Sequence, residues 1–548
     1  MLHNNPTLKS LINSLWNTLW SGGIANPITA IEQITYLLFM KRLDDIEAKR
    51  ETDTKYSSRF SGTYIPYSSK EIEYSSVDND LTEEIFDLRT QLKPIPPRPK
   101  QELRWSYFRE IRPTDKMLEH VRYNVFPFIK TLNNEDSPFS KHMEDASFEI
   151  KKPNLLREVI SKIEEIFVEI EKDAKDGGHN FQDIQGDVYE MLLSEISQAG
   201  KNGQFRTPRH IIKLIAELVE PQLGDRIADP ACGTAGFLLG AYQYILTDLI
   251  RKKDKGKLET DEDGFDKGTY SSVLDEKSKK ILDKSFYGFD IDVTMVRLGL
   301  MNLMMHGIDN PKIDYQDTLS SSYNELGQYD IVLANPPFTG KIDRGDINST
   351  LRIGSPSSEL LFLDRISSML RVGGKGAVII PEGVLFGSSN AQKQTKEILL
   401  KDNHLEAVIS LPKGAFKPYT GVKTAILIFK KVEENSKTWH TEKVWFYELK
   451  SDGYSLDDNR RKLKDYPLPE AKLSFSTRNK TKATDRKSHF FVPIAEIQAN
   501  DLDLSFNRYK EYEYIEQTYD PPKQILAALM TLEKEILLDM EELNSLIG

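Results

Sequence analysis

Residues 229–246 read DPACGTAGFLLGAYQYIL, and they begin where the short β-rich run RIADP ends. The run predicts a strand that stops at the acidic Asp229, and the apolar residues after Gly236 predict a helix. Gly233 and Gly236 lie in the turn between them, where the lack of a Cβ atom lets backbone N–H groups approach a ligand. The stretch therefore predicts a strand, a ligand-binding loop and a helix in succession.

The same alternation continues through the centre of the chain. Short β-rich runs are separated by helical segments, which is typical of a parallel sheet covered by helices on both faces. Ligands in such α/β folds bind beyond the carboxyl ends of the strands, so the functional residues are expected there. The runs are RIADP, FYGFDID, YDIVLANPP, KGAVIIPEG, LEAVISLP and TAILIFKK.

Acidic residues recur where the predicted strands end. Asp290 closes FYGFDID, a position suited to a ribose diol, and Asp317 follows in YQDTL. A dinucleotide needs a tight GxGxxG turn for its pyrophosphate, whereas this loop reads CGTAG. S-adenosylmethionine has no phosphate, but its sulfonium, diol and adenine can be held by acidic residues on successive strand ends. We therefore favour S-adenosylmethionine as the cofactor.

The run YDIVLANPPF ends a predicted buried strand in an asparagine, two prolines and a phenylalanine. A planar amino group is a poor nucleophile because its lone pair is delocalised, and two acceptors, the Asn335 side-chain oxygen and the Pro336 carbonyl, would draw charge onto its nitrogen. The prolines donate no ladder hydrogen bond and hold φ near about −65°. Phe338 can stack on the planar group, worth roughly 1–3 kcal/mol per base. The motif predicts a rigid clamp for an amino group on a base or an amide.

Composition limits the class of protein. A chain of 548 residues is too long for one ordinary core, and its single cysteine, Cys232, excludes a disulfide framework and indicates a reducing compartment. No segment approaches the ~20 apolar residues needed to span a bilayer, which predicts a soluble cytoplasmic protein. The net charge of −11 is unexpected for a protein that wraps nucleic acid by itself. Either the substrate is not nucleic acid or a partner supplies positive surface.

The pattern divides the chain into three predicted domains. Residues 1–172 form a mainly helical domain, residues 173–447 hold the alternating strands and helices, and residues 448–548 form an irregular tail that ends in a helix. The polar segment DAKDGGHN, residues 173–180, predicts a linker.

The tail has two features that indicate contacts. A basic stretch between residues 460 and 487 predicts either solvated surface or a strip that faces phosphates or a partner. The segment after Lys523 spaces apolar residues three or four apart, so this chain or another helix has to cover them. The basic residues are Arg460, Arg461, Lys462, Lys464, Lys472, Arg478, Lys480, Lys482, Arg486 and Lys487, and the apolar stripe is Ile525, Leu529, Leu532, Ile536, Met540, Leu543 and Ile547.

In this order, DPACGTAGF, YGFDID, QDTL and NPPF resemble the motifs of amino-group DNA methyltransferases. GQFRTPRHI, SELLFLDRISSMLRVGGKGAVIIPEGVLF and GAFKPYTGVKTAILIFKK resemble the modification subunit of type I restriction-modification systems. WNTLW, ITYLLFMKRLDD and DLDLSFNRY extend the resemblance over almost the whole chain. It implies a Rossmann-like, S-adenosylmethionine-dependent methyltransferase domain that methylates N6 of adenine in DNA.

The resemblance also implies the site residues. Neither a metal nor a covalent enzyme intermediate is called for, since the exocyclic nitrogen attacks the methyl group directly. Arg206 stands where the family commonly has an aromatic residue, so we expect only a backbone contact there. The catalytic clamp would be Asn335, Pro336, Pro337 and Phe338; the methionine end of the cofactor would be bordered by Gln204, Phe205, Thr207 and Pro208, with Arg209 just beyond; Asp229, Gly233, Thr234, Ala235 and Gly236 would form the cofactor loop; Asp290 would hold the ribose and Asp317 would face the adenine.

Partners follow from the same resemblance. They are double-stranded DNA with a flipped adenine, a specificity subunit that reads the sequence, and a restriction subunit with endonuclease and translocase activity, with two copies of this chain per specificity subunit and no membrane. The expected location is the prokaryotic cytoplasm, in association with the nucleoid. Two alternatives stay open. One is a protein glutamine methyltransferase, which uses a similar clamp on an amide nitrogen, and the other is a non-catalytic assembly subunit, against which the intact NPPF argues.

Overall fold

A computed structural model describes most of the chain. It covers residues 5–50, 58–64, 97–132, 137–177, 207–268, 274–458, 460–480, 485–511 and 521–547.

The described ranges hold helices at both ends of the chain and mainly strands with helices between them. The helices are α1 (Pro6–Gly22), α2 (Pro27–Arg50), α3 (Trp105–Phe108), α4 (Thr114–His120), α5 (Phe126–Lys130), α6 (Pro138–Met143), α7 (Pro153–Gly177), α8 (Arg209–Val219), α9 (Gly236–Lys253), α10 (Glu276–Leu282), α11 (Val293–Met305), α12 (Ser358–Met369), α13 (Glu382–Phe386), α14 (Asn390–Lys401), α15 (Pro467–Thr477), α16 (Ile494–Ala499), α17 (Phe506–Tyr509) and α18 (Pro522–Ile547). The strands are β1 (Thr63–Tyr64), β2 (Arg98–Pro99), β3 (Ile227–Asp229), β4 (Leu258–Thr260), β5 (Asp266–Gly268), β6 (Phe286–Asp290), β7 (Lys312–Tyr315), β8 (Tyr329–Ala334), β9 (Leu370–Pro381), β10 (Asn403–Ser410), β11 (Thr424–Lys431), β12 (Lys443–Glu448) and β13 (His489–Pro493).

The N-terminal region is mainly helical, as the sequence predicts. Asn5 caps α1 by accepting a hydrogen bond from the Leu8 N–H, which satisfies one of the free donors at a helix start. The predicted linker is wrong for residues 173–177, because α7 continues through Gly177. Residues 178–180 lie outside the described ranges.

A mixed sheet forms the centre of the described structure, in the order β13-β12-β10-β11-β9-β8-β3-β6-β7. The half from β9 to β7 is parallel, which confirms the predicted pattern for those strands. The other half departs from it, since β11 runs antiparallel to both neighbours and β13 runs antiparallel to β12. The segment between β10 and β11 contains no helix that could cross a face of the sheet, so the chain returns in the opposite direction.

Both faces of the sheet are covered, because buried side chains alternate along β8. Ile331 and Leu333 pack in one core with helices that include α8, α9 and α11. Val332 and Ala334 pack in the other core with α12 and α14. All of them are at most 3% exposed, which confirms an α/β sandwich with apolar layers on the two sides.

The helical region and the sheet share packing contacts. α2 and α6 pack against α11, and the Arg297 guanidinium on α11 donates to Glu32 Oε1 at 3.0 Å and to the His142 carbonyl at 2.6 Å. Beyond residue 447, β13 adds the last strand at one edge of the sheet. The division at residues 172 and 447 stays a prediction. Among the helices of the described ranges, none is long and apolar enough to cross a membrane.

Candidate functional site

The loop after β3 lies over the carboxyl ends of the neighbouring strands. Asp229 is buried at the end of β3, and its Oδ1 accepts a hydrogen bond from the Ala231 N–H at 3.0 Å. The Cys232 N–H donates to the Phe289 carbonyl on β6 at 2.9 Å. The Thr318 hydroxyl donates to the Pro230 carbonyl at 3.1 Å, which ties the segment after β7 to the same loop.

Left-handed backbone shapes this loop. Gly233 has φ of 52°, and Ala235 has φ of 62° immediately before α9 begins at Gly236. A left-handed non-glycine residue costs roughly 1–2 kcal/mol, and such residues cluster at functional sites. The Gly233 N–H donates to Asp290 Oδ2 at 2.8 Å, so the loop is fastened to the end of β6. The sequence-predicted loop residues and Asp290 therefore lie together.

The acidic strand ends meet at one edge of the sheet. Asp290 Oδ1 accepts the Asp292 N–H at 2.9 Å, and the Gln316 N–H at the end of β7 donates to the Asp290 carbonyl at 2.9 Å. Asp317 follows directly, with Oδ1 accepting the Leu319 N–H at 2.9 Å. Since β3, β6 and β7 are adjacent parallel strands, the structure brings the predicted acidic residues to neighbouring positions.

Burial is the main cause of the raised pKa values of Asp229 and Asp290. Burial, and secondarily the nearby Asp290, raises the pKa of Asp229 to about 8, although the backbone donor at Ala231 opposes the shift. Burial also raises the pKa of Asp290. Carboxyl groups whose charged forms are disfavoured in this way gain from a ligand that brings a positive charge. The loop and its acidic surroundings thus fit a sulfonium with a diol.

Asn335 follows the last residue of β8, and the nitrogen and oxygen of its side-chain amide differ in their hydrogen bonding. Its Nδ2 donates to Thr207 Oγ1 at 2.9 Å, whereas its Oδ1 is buried and has no hydrogen-bond partner among the described residues. An unsatisfied buried acceptor costs about 1–3 kcal/mol and is rare in folded proteins. An oxygen left in this state fits the acceptor that the motif predicts for a planar amino group.

The other clamp residues lie close by. Pro336 is buried, Pro337 is exposed, and the Phe338 ring is 8% exposed. Phe338 packs edge-on against Phe416, with ring centroids 5.8 Å apart and planes at 80°. Phe416 lies between β10 and β11 and fixes one side of the clamp ring.

Sequence reasoning missed two residues that shape the site. Phe416 belongs to GAFKPYTGVK, a stretch that contributed to the family resemblance without a role for its phenylalanine. Asn302 is fully buried on α11, and its Nδ2 donates to the Thr234 carbonyl at 2.8 Å. This hydrogen bond ties the loop after β3 to α11. A polar residue amid the apolar GLMNLMM was the available signal.

The segment before α8 is only partly described. Gln204, Phe205 and Arg206 lie outside the described residues. Thr207 is buried against Asn335, and the Pro208 carbonyl accepts hydrogen bonds from the first turn of α8. Arg209 lines a separate cavity between α8 and α9 that also contains Lys213 and Tyr244.

Much of the predicted basic stretch is paired within the chain, and whether it faces solvent, phosphates or a partner stays a prediction. Half of its ten side chains form ion pairs with acidic residues of this chain, and Lys482 lies outside the described residues. The pairs are Arg460 with Asp452, Lys462 with Asp263 at 3.2 Å, Lys472 with Glu217, Arg478 with Glu406 at 2.7 Å, and Arg486 with Glu496 at 2.5 Å.

The sheet order, the loop after β3 and the acidic strand ends define the fold class of S-adenosylmethionine-dependent methyltransferases. The profile of the N-6 DNA Methylase family matches residues 180–518, and that of the HsdM N-terminal domain matches residues 8–163. The EcoEI methylase subunit of a type I restriction enzyme from Escherichia coli is 30% identical over 451 residues, which cover 79% of this chain and 83% of the relative.

Solved structures give the same assignment of the fold. A structure described in terms of complex assembly and conformational transition of the type I R-M system has 26% identity and a TM-score of 0.61, and covers 99% of both chains. The modification subunit of a putative type I restriction enzyme from Vibrio vulnificus YJ016 has 21% identity and a TM-score of 0.62, over 89% of this chain and 92% of the other. The chain belongs to the N-6 DNA methylase family and, within it, to the methylase subunits of type I restriction enzymes.

Proposed function

We propose that this chain methylates N6 of adenine in DNA with S-adenosylmethionine, as the modification subunit of a type I restriction-modification complex. The observation that carries the proposal is the buried Asn335 Oδ1, which has no hydrogen-bond partner among the described residues while its amide nitrogen is fixed by Thr207. Membership of the N-6 DNA methylase family supports DNA as the substrate rather than a protein amide.

The clamp acts on the target amino group. The Asn335 side-chain oxygen and the Pro336 carbonyl accept its two N–H bonds, which shifts charge onto the nitrogen and favours a tetrahedral geometry. Phe338 stacks on the flipped base, after the duplex has given up that base at a cost of a few kcal/mol. Pro336 and Pro337 keep the backbone rigid, so the acceptors are in place before the base arrives.

The cofactor is assigned to the loop and to the acidic strand ends. Gly233–Gly236 would provide backbone contacts, Asp290 would accept the ribose hydroxyls and Asp317 would face the adenine, while the buried Asp229 would become charged when a bound cation lowers its raised pKa. S-adenosylmethionine, when bound there, supplies an electrophilic methyl group on its sulfonium. The buried carboxyl groups hold that cation, and Asn302 keeps the loop in position.

Partner subunits complete the proposed enzyme. The net charge of −11 and the internal pairing of the basic stretch leave this chain poorly equipped to hold DNA alone. A specificity subunit would select the DNA sequence, with two copies of this chain per specificity subunit, and a restriction subunit would join the complex in the prokaryotic cytoplasm at the nucleoid. The exposed apolar face of α18 supports a subunit contact at that helix.

Nucleoside mass spectrometry tests the proposal. The chain is incubated with isotope-labelled S-adenosylmethionine and duplex DNA, with and without its specificity subunit. We expect labelled N6-methyladenine, formed at one sequence and only in the presence of the specificity subunit. Label in a protein glutamine, or in another base, would contradict the substrate assignment. The absence of transfer by a complex that binds both cofactor and DNA would contradict the assignment as a catalytic subunit.

A further inference from the structure

We propose that Thr207 is a positioning residue for the clamp, whose hydroxyl fixes the Asn335 amide so that Oδ1 faces the target amino group. The inference rests on the proposed function. It also gives Thr207 a role different from the cofactor contact that the family resemblance implies.

The planar geometry of the Asn335 amide links the position of its oxygen to that of its nitrogen. Asn335 Nδ2 donates to Thr207 Oγ1 at 2.9 Å, and the nitrogen and oxygen of one amide are held at a fixed angle in one plane. A hydroxyl can bond either atom of an amide, but in the observed arrangement it accepts from the nitrogen, which leaves the oxygen directed away from Thr207. A rotation of the amide by half a turn would place N–H donors against the N–H donors of the substrate, which is an unproductive and repulsive arrangement.

Thr207 is itself held in place by its surroundings. It is 8% exposed, and the proline that follows it restricts its backbone to extended conformations. The Pro208 carbonyl accepts the N–H groups of Ile211 and Ile212 at 3.0 and 3.1 Å, which joins this segment rigidly to α8.

The first turn of α8 is anchored in turn. His210 Nε2 lies 3.0 Å from Asp452 Oδ2, and both side chains are buried. The His210 ring stacks on Tyr454 with centroids 4.3 Å apart, and the Tyr454 hydroxyl donates to Asp263 Oδ1 at 3.1 Å. The loop between β12 and α15 thus holds the start of α8, which Thr207 precedes by two residues, so the hydroxyl is a fixed reference point for the amide.

Two matched pairs of variants isolate the hydroxyl in the assembled complex. Thr207→Val keeps the shape of the wild-type side chain and removes the hydroxyl, while Thr207→Ser and Thr207→Ala both lack the methyl group and differ in the hydroxyl alone. The measurements are the single-turnover methylation rate with saturating cofactor and DNA, the cofactor Kd by calorimetry, and the thermal midpoint. Thr395→Val is the control, because Thr395 is also a buried threonine with a hydrogen-bonded hydroxyl. Its hydroxyl donates to the Ala391 carbonyl within α14, and Thr395 is remote from Thr207 in the sequence.

A positioning role predicts a loss in rate without a loss in cofactor affinity. Losing one hydrogen bond corresponds to about tenfold, so Thr207→Val should fall about tenfold below wild type, and Thr207→Ala about tenfold below Thr207→Ser. The cofactor Kd should be unchanged in all of them, and Thr395→Val should methylate at the wild-type rate.

Other results overturn the inference. Equal rates for Thr207→Ser and Thr207→Ala would contradict it, and so would a weaker cofactor Kd with an unchanged single-turnover rate, which would make Thr207 a cofactor contact. The proposed function has a separate test in Asn335→Ala. An inactive Asn335→Ala together with a fully active Thr207→Val rejects the positioning role alone, whereas an active Asn335→Ala rejects the clamp itself.

Discussion

Asn335 Oδ1 is a buried acceptor for which the residues that the structure describes provide no donor. Folded proteins pair nearly all buried polar atoms, so an exception calls for a reason. For Asn335 we propose a chemical reason, since an amino group of the substrate would complete the hydrogen bond. The same logic applies to Asp229, whose burial near Asp290 disfavours the charge that a cationic ligand would restore.

The pH dependence of cofactor binding should report this linkage. The pKa of Asp229 is about 8 without cofactor, raised mainly by burial. A bound sulfonium favours the carboxylate and lowers that pKa, so binding releases a proton below pH 8. The affinity for S-adenosylmethionine should therefore rise with pH up to about 8 and then level off.

Calorimetry in buffers of different ionisation enthalpy measures both the affinity and the released proton. S-adenosylhomocysteine, whose sulfur is neutral, is the control ligand and should show a weaker dependence. Asp229→Asn should remove the dependence for S-adenosylmethionine. Equal pH profiles for the two ligands would disprove the electrostatic role of Asp229.

The sequence predicts the site residues that lie near strand ends, but it does not predict contacts between residues that are far apart in the chain. Asp229, Gly233, Asp290 and Asn335 could be predicted because each lies at the end of a recognisable strand, where topology gathers ligand-binding residues. The contact between Asn335 and Thr207 could not, because it joins positions 128 residues apart through the packing of α8 on the sheet.

At the scale of elements, hydrophobic patterning predicted strands better than their directions. Every β-rich run became a strand, but β11 returns antiparallel between β9 and β10. An apolar run buried on both faces looks the same in either direction, and only the lack of a crossover helix before β11 distinguishes them. The predicted linker failed for a related reason, since the polar residues 173–177 can extend a helix whose preceding turns are firmly packed.

Helix α18 exposes more apolar surface than its predicted stripe. Every stripe residue whose side chain is described is exposed, from 45% for Ile525 to 62% for Met540, and Leu526, Met530 and Leu537 widen the face. A 26-residue helix with so broad an apolar face is suited to pack against helices of a partner.

Charge substitutions on this helix should separate assembly from cofactor binding. Leu529→Glu with Ile536→Glu should weaken co-purification with the specificity subunit at least about tenfold, because two buried leucine-sized side chains contribute about 1.5–3 kcal/mol each. Cofactor affinity should stay unchanged, since α18 is remote from the strand ends in sequence and forms none of their contacts within the described residues.

The matched control is Thr531→Glu with Lys534→Gln, which changes the net charge equally on the opposite side of the helix. This pair should assemble normally. Equal loss of assembly in both pairs would indicate a charge effect, and loss of cofactor binding in the first pair would show that α18 packs on its own catalytic domain.

At the scale of the whole molecule, the net charge is consistent with the proposed partner subunits. The chain carries a net charge of −11, and half of its basic stretch neutralises its own acidic residues. Phosphate contacts supply essentially all of non-specific DNA affinity, so an acidic chain that pairs half of its basic stretch internally gains less from them.

The isolated chain should therefore bind DNA weakly and without sequence preference. Fluorescence anisotropy with two duplexes, one containing the sequence methylated by the complex and one scrambled, measures this at physiological salt. We expect a similar, weak Kd for both, in the range of about 10⁻⁴–10⁻⁶ M typical of non-specific binding, and tight discrimination once the specificity subunit is added. Tight, site-specific binding by the pure chain would contradict the proposal that the specificity subunit recognises the DNA sequence.

The Asn335→Ala variant of the assembled complex tests whether the Asn335 side-chain oxygen activates the target amino group. Its single-turnover methylation rate and its cofactor Kd are measured side by side, with the exposed Asn324→Ala as a control for the substitution. We expect a loss of at least about 10²–10³ in rate, as for other preorganised groups at a reaction centre, with an unchanged cofactor Kd and a fully active control. Methylation by Asn335→Ala at close to the wild-type rate would contradict the account.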